Sequence, residues 1–177
     1  MSIKAFAAKG AKQKLEAFDF DPGKLGEHEV EVAVTHCGVC HSDLSMLDNE
    51  WGMTVYPFVP GHEVVGKIAA AGDHVKHVKV GDRVGIGWLC GSCADCEWCH
   101  RGKEHLCAQQ RGTIVQHHGG YADRVRSDAN FAMKIPDALP SEFAGPLMCA
   151  GATVYSPLVH QDIRPEMHAA VIGIGGL

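Results

Sequence analysis

Two sets of residues in this chain have types and spacings that can hold a metal. The first is compact: Cys93-x2-Cys96-x2-Cys99-x7-Cys107 puts four thiols on one short stretch. Four thiolates can close a tetrahedral zinc site and leave no position open for a substrate, so its role would be structural. It would stand in for a hydrophobic core, because metal-binding free energy becomes folding free energy. Spacing alone leaves alternatives. Cys90, Cys93, Cys96 and Cys99 are as regularly placed. An iron–sulfur cluster fits the C-x2-C-x2-C run, although the x3-C-P completion is missing between His100 and Glu104. Disulfides are the reading for a secreted chain.

The second set is scattered. Cys40-His41-Ser42-Asp43 offers a thiol, an imidazole, a hydroxyl and a carboxylate in succession. Gly61-His62-Glu63 opens a strand, and Met148-Cys149 falls in a helical stretch. Each has a bland alternative: a lone cysteine is most often a small buried hydrophobe, His62 can be a satisfied core histidine, and Ser42 can cap a helix. Together Cys40, His62 and Cys149 can form a Cys2His zinc site with its fourth position open.

Composition narrows the classes. The 177 residues are 46% hydrophobic and 21% charged, as in an ordinary globular protein, which excludes a disordered chain. No apolar run reaches the roughly 18 residues of a membrane span. A net charge of −5 argues against a nucleic-acid partner. Met1-Ser2-Ile3-Lys4 lacks the basic start and apolar run of a secretory leader, which points to the cytoplasm and to metal ligation for the eight cysteines. Most of the twelve histidines, His28, His74, His77, His117 and His118 among them, sit among polar residues and read as solvated surface imidazoles.

The elements that must position these residues read mainly as β. Strands are expected at 3–8, around Val30, Val32 and Val34, at 62–71, 83–88, 121–126 and 131–135, with glycine-rich turns between them. Short strands so spaced suggest a barrel or sandwich. A short helix is expected at 41–49, and a longer one at 141–160 with Ser141 as its N-cap and Pro146 and Pro157 as breaks. The lobe at 90–108 has too few apolar groups to hold itself together. Ala169–Ile172 is a strand candidate, followed by Gly173, Gly175 and Gly176, a phosphate-binding turn one glycine short of G-x-G-x-x-G. A domain ending on such a strand leaves an exposed edge, so we read the chain as the front half of a longer protein: a domain over 1–150, then a connecting helix and the start of a truncated dinucleotide-binding domain over 151–177.

Gly61-His62-Glu63-x2-Gly66-x5-Gly72-x2-Val75 matches the zinc alcohol dehydrogenase signature. With Cys-Gly-Val-Cys-His-Ser-Asp at 37–43, Val-Pro-Gly-His-Glu-Val-Val-Gly at 59–66 and Cys-Ala-Gly-Ala-Thr-Val-Tyr-Ser-Pro-Leu at 149–158, the sequence resembles the zinc-dependent medium-chain dehydrogenase/reductase family, most of all its cinnamyl alcohol dehydrogenase and broad-specificity aldehyde reductase branch. The resemblance implies a GroES-like β barrel with a zinc lobe, followed by the first strand of a truncated Rossmann domain. It implies two zinc ions, a structural one on Cys93, Cys96, Cys99 and Cys107 and a catalytic one on Cys40, His62 and Cys149. Glu63 would be a transient or alternative ligand, Asp43 would orient His62, and Cys90 and Cys37 would ligate nothing. Ser42 would bond the substrate oxygen and start a proton relay. His41, Thr153, Gly173, Gly175, Gly176 and Leu177 would face the dinucleotide, and Trp51 and Met53 would wall the substrate pocket.

The implied reaction is hydride transfer between a primary alcohol or aldehyde and NADP(H) in preference to NAD(H), with the whole protein a homodimer or homotetramer. Many relatives carry a histidine three residues after the relay hydroxyl; here that position is Ser45. The resemblance also implies that this chain alone does not turn over. Two other classes compete: a non-enzymatic zinc-stabilised GroES-like binding module, and a small electron carrier holding iron.

Overall fold

The computed structural model describes residues 2–175. The strands are β1 (Ile3–Ala7), β2 (Glu16–Phe20), β3 (Glu29–Cys37), β4 (Val64–Ala71), β5 (Arg83–Ile86), β6 (Leu89–Gly91), β7 (Arg111–Gly112), β8 (Arg124–Asp128) and β9 (Met133–Lys134). The helices are α1 (His41–Leu47), α2 (Glu97–His100), α3 (Ser141–Pro146) and α4 (Ala152–His160). A five-stranded antiparallel sheet in the order β8-β3-β4-β5-β9 forms the centre, and β1-β2 and β6-β7 are separate pairs. The strands wrap without a continuous closing ladder. Phe6 donates to the Tyr121 carbonyl, Asp123 to that of Lys4, and Val34 to that of Asp123, so residues 121–123 bridge β1 to β3. This use of 121–123 as a bridge moves the expected 121–126 strand to Arg124–Asp128.

The alternating valines bury as expected. Val30 and Val32 pack with Val64, Ile68, Val84, Ile86 and Val125, and Val34 lies against this cluster. Glu31, on the opposite face, is nonetheless buried, because Arg124 and Arg126 close over it at 2.8 and 3.1 Å. His117 and His118 depart from the solvated reading. His117 Nδ1 lies 3.1 Å from the Thr113 carbonyl, and the His118 ring sits 4.3 Å from that of Phe20. Burial pushes both imidazoles below their ordinary range.

The 141–160 segment stays helical throughout but changes pitch. Proline has no N–H to donate, and after Pro146 the residues Leu147–Gly151 form a π turn before α4 begins. Pro157 lies inside α4 without ending it. The N-cap is Pro140, not Ser141, whose hydroxyl instead accepts from Arg83 at 3.1 Å. Ala169–Ile172 is a second departure: it joins no ladder among the described residues, and Ile172 is 97% exposed. A strand needs a neighbour to satisfy its backbone, and no neighbour stands beside it here.

Candidate functional site

The compact set converges. The sulfurs of Cys93, Cys96, Cys99 and Cys107 all lie within 4.8 Å of one another. Neighbouring sulfurs are separated by 3.5 Å (Cys96–Cys99 and Cys93–Cys107) and 3.9 Å (Cys93–Cys99). Tetrahedral zinc with Zn–S bonds of ~2.3 Å needs sulfurs about 3.8 Å apart. Cys90 stands apart, buried in the sheet core, where burial pushes its thiol up to about 11. Backbone N–H groups of Asp95 and Cys96 pull Cys93 down to about 6, so the lobe holds a ready thiolate. Neither α2 nor the 3-10 turn Glu104–Leu106 buries any residue, so the lobe lacks a core of its own.

The scattered set converges too. One ligand atom each from Cys40, His62, Glu63 and Cys149 lies within the same 4.8 Å limit. Cys40 is the N-cap of α1, His62 lies two residues before β4, whose expected start at 62 moves to Val64, and Cys149 hangs from the π turn, 3.9 Å from the Cys40 sulfur. Because Cys40 holds the cap, Ser42 sits inside the first turn and does not act as the N-cap.

Asp43 organises this site. Its carboxylate accepts from the Gly61 N–H at 2.8 Å, the Cys40 N–H at 3.2 Å and His62 Nδ1 at 2.9 Å. The bond at Nδ1 leaves Nε2 of the fully buried His62 as an acceptor with no hydrogen-bond partner among the described residues. A stranded buried polar atom costs about 1–3 kcal/mol, and this one belongs to the group that gathers Cys40 and Cys149. A cation among them would use that lone pair, so the donor set fits zinc. Burial pulls His62 down, but the bond and charge of Asp43 outweigh it and the net shift is upward. Burial and the neighbouring Cys40 push the Cys149 thiol up to about 12, whereas Cys40, its burial outweighed by hydrogen bonds from Ser42, is lowered. Burial raises Glu63. Its carboxylate fills the space where a Cβ at Gly38 would stand, so glycine at 38 is required for Glu63 to face the site.

Residues 26–137 match the alcohol dehydrogenase GroES-like domain. The chain belongs to that family.

Within the GroES-like family it is 54% identical over 175 residues to an aldehyde reductase, AdhA, from Synechocystis sp., covering 99% of this chain and 52% of that protein. It is 44% identical to cinnamyl alcohol dehydrogenase 7 of Arabidopsis thaliana, covering 97% of this chain and 50% of the relative. Among solved structures, a cinnamyl alcohol dehydrogenase from Sorghum bicolor superposes with a TM-score of 0.87 at 37% identity, over 92% of this chain and 49% of the other. The Helicobacter pylori enzyme CAD, solved with NADP(H), gives a TM-score of 0.88 at 32% identity, over 92% and 50%. The chain thus spans about half the length of the curated relatives it matches. The chain is mainly β with the GroES-like fold, and none of its described helices is long and apolar enough to cross a membrane.

Two clefts flank the scattered set in this GroES-like domain. One, of about 400 Å³, is lined by Ser42, Trp51, Trp88, Met148, Cys149, Ala152 and Thr153. The other, of about 490 Å³, brings His41 together with Glu63, Gly173 and Gly175. Gly176 and Leu177 lie outside the described residues. Met53 is the one expected pocket residue that does not join the wall: left-handed backbone at Asn49 and Gly52 turns the chain away after Trp51. Trp88, absent from the sequence-based site, fills that role. Its ring stands edge-on to His62 at 5.1 Å and to Trp51 at 6.0 Å. Its only signal was an aromatic residue at the end of a strand next to the cysteine lobe. Cys37 is half-buried, and burial pushes its thiol up to about 12, so it stays protonated.

Proposed function

We propose that this chain is the catalytic half of a zinc-dependent alcohol dehydrogenase or aldehyde reductase that moves a hydride between NADP(H) and a primary alcohol or aldehyde. The observation that carries the reading is the unpartnered Nε2 of His62, grouped with two thiols beside an aromatic-walled cleft. The Synechocystis and Arabidopsis names support the reaction class, and the H. pylori complex supports NADP(H).

Cys40, His62 and Cys149 would hold the catalytic zinc, with Glu63 as an alternative ligand and Asp43 fixing the His62 ring. Cys93, Cys96, Cys99 and Cys107 would hold a second, structural zinc. When bound, zinc at the first site supplies a Lewis acid to a substrate oxygen, and NADP(H) carries the hydride. The Ser42 hydroxyl, on the cleft wall, bonds that oxygen and moves its proton. Ser45 is only 4% exposed and cannot carry the proton onward to solvent, so the exit runs through His41 or water. Trp51 and Trp88 shield the cleft from water, and Thr153 and His41 face the dinucleotide.

We assign 1–150 to the GroES-like domain with its lobe at 90–108, and 151–177 to the connecting helix and the beginning of the dinucleotide-binding domain. Half-length coverage of the relatives supports the view that this chain alone does not turn over. The whole protein would work in the cytoplasm as a homodimer or homotetramer on a small-molecule substrate. Grafted in place of the matching half of the Synechocystis aldehyde reductase, the chain should support NADPH-dependent aldehyde reduction. Cys149→Ala in that chimera should abolish it, and turnover surviving the substitution would overturn the reading. Reduction by the chain alone would overturn the claim of inactivity.

A further inference from the structure

Away from both cysteine sites, the turn before β3 meets the turn after β4. His74 N–H donates to the Glu27 carbonyl at 3.0 Å and Gly72 N–H to the Glu29 carbonyl at 2.8 Å. A Cβ at Gly72 would collide with the carbonyls of Gly26 and Glu27, so the backbones are as close as glycine permits. The Ala129 N–H bonds the His28 carbonyl and braces the same turn.

This close approach sets two imidazoles against each other. His74 Nδ1 stands 3.4 Å from His28 Nε2, with ring centroids 4.9 Å apart at 59°. Glu27 Oε2 is 3.4 Å from the same His74 Nδ1. Around tetrahedral zinc with bonds of ~2.0–2.1 Å, two ligand atoms are about 3.3 Å apart. Both separations match that edge, and 3.4 Å is longer than the usual range for a nitrogen-donated hydrogen bond. The third edge, Glu27 to His28, is open in this structure. Torsions of the Glu27 side chain can close it, since Glu27 and His74 are 69% and 56% exposed. His77 is nearby but committed, its Nε2 being 2.9 Å from the Ala129 carbonyl.

We propose that His28 Nε2, His74 Nδ1 and a Glu27 oxygen form a surface site for a divalent borderline cation, with zinc as its simplest occupant and water completing the shell. Such an ion ties the turn at 26–28 to the turn at 72–75. It binds more weakly than the cysteine sites, because two imidazoles and a carboxylate replace thiolates and the site is open to water. Copper and nickel ions compete for it in the order imidazole ligands favour.

The test is calorimetric titration with zinc sulfate of the zinc-replete protein, after dialysis has removed loosely held metal. One further equivalent should bind at pH 7.5. His28→Gln and His74→Gln should each abolish that equivalent, and Glu27→Gln should weaken it several-fold, with the tightly held zinc unchanged in all three. Imidazole 15N spectra should show the shift at His28 Nε2 and His74 Nδ1. Absence of the further equivalent, or its survival in both histidine variants, overturns the proposal.

Discussion

The two cysteine-bearing regions are built on opposite principles. The lobe draws its four thiols from residues 93–107, one loop, and buries almost nothing else. The dispersed site draws Cys40 and Cys149 from positions 109 residues apart, on the cap of α1 and on the π turn, and His62 from the approach to β4. On the proposed assignment the lobe would need its metal in order to fold. On the same assignment the dispersed site would be shaped by the fold itself, with the buried His62 Nε2 left for the metal. A short-range ligand set can be structural with no scaffold, whereas a long-range set comes with the scaffold that can also hold a substrate cleft beside it.

The largest expected effect breaks the lobe. In small zinc domains metal binding amounts to roughly 10–16 kcal/mol of folding free energy. Cys99→Ser should release the lobe's zinc and expose 90–112 to limited proteolysis while β3, β4 and β5 stay protected. Next is the scaffold of the other site. Ile68, buried among Val30, Val32 and Val84, should cost about 2–5 kcal/mol on truncation to alanine. Denaturant titration should show this loss, with the lobe's zinc retained in native buffer.

A smaller effect separates positioning from ligation. Asp43→Asn removes the charge that holds the His62 ring, and should weaken zinc at the dispersed site about 10–100-fold. Competition with a chromophoric chelator would show it as one weakened equivalent beside one unchanged.

The smallest concerns the scaffold that both regions share. His117 and His118 have folded pKa values below the unfolded value near 6.5. The folded state thus binds fewer protons than the unfolded one. Stability is full above that pH and declines as pH falls from there toward the depressed folded values. His117→Gln should make this decline shallower, measured as the urea midpoint between pH 7.5 and 5.5.

The contrast between the regions also explains what the sequence made legible. The lobe shows in spacing because its ligands are local, although spacing could not choose between Cys90 and Cys107. Val30, Val32 and Val34 announce β3 by alternation, and Gly72-Asp73 marks the end of β4. The burial of Glu31 was not legible, since it depends on Arg124 and Arg126 arriving from β8. Nor was the π turn that carries Cys149, which follows from one missing N–H at Pro146. Strand β2 was not anticipated: its Glu16–Phe20 stretch is mostly exposed and its place depends on pairing with β1. Trp88 was invisible as a cleft residue because its neighbours Trp51 and Thr153 come from distant segments.

The most direct test of the central claim, that the fold shapes a second metal site in addition to the lobe, is zinc and iron per chain by elemental analysis. It should be made after dialysis against zinc-free buffer, on the wild-type chain and on Cys149→Ala. The account predicts two tightly held zinc ions and no iron in the wild type, and one zinc in the variant with its circular dichroism unchanged. A single zinc in the wild type that is unaffected by Cys149→Ala would contradict it.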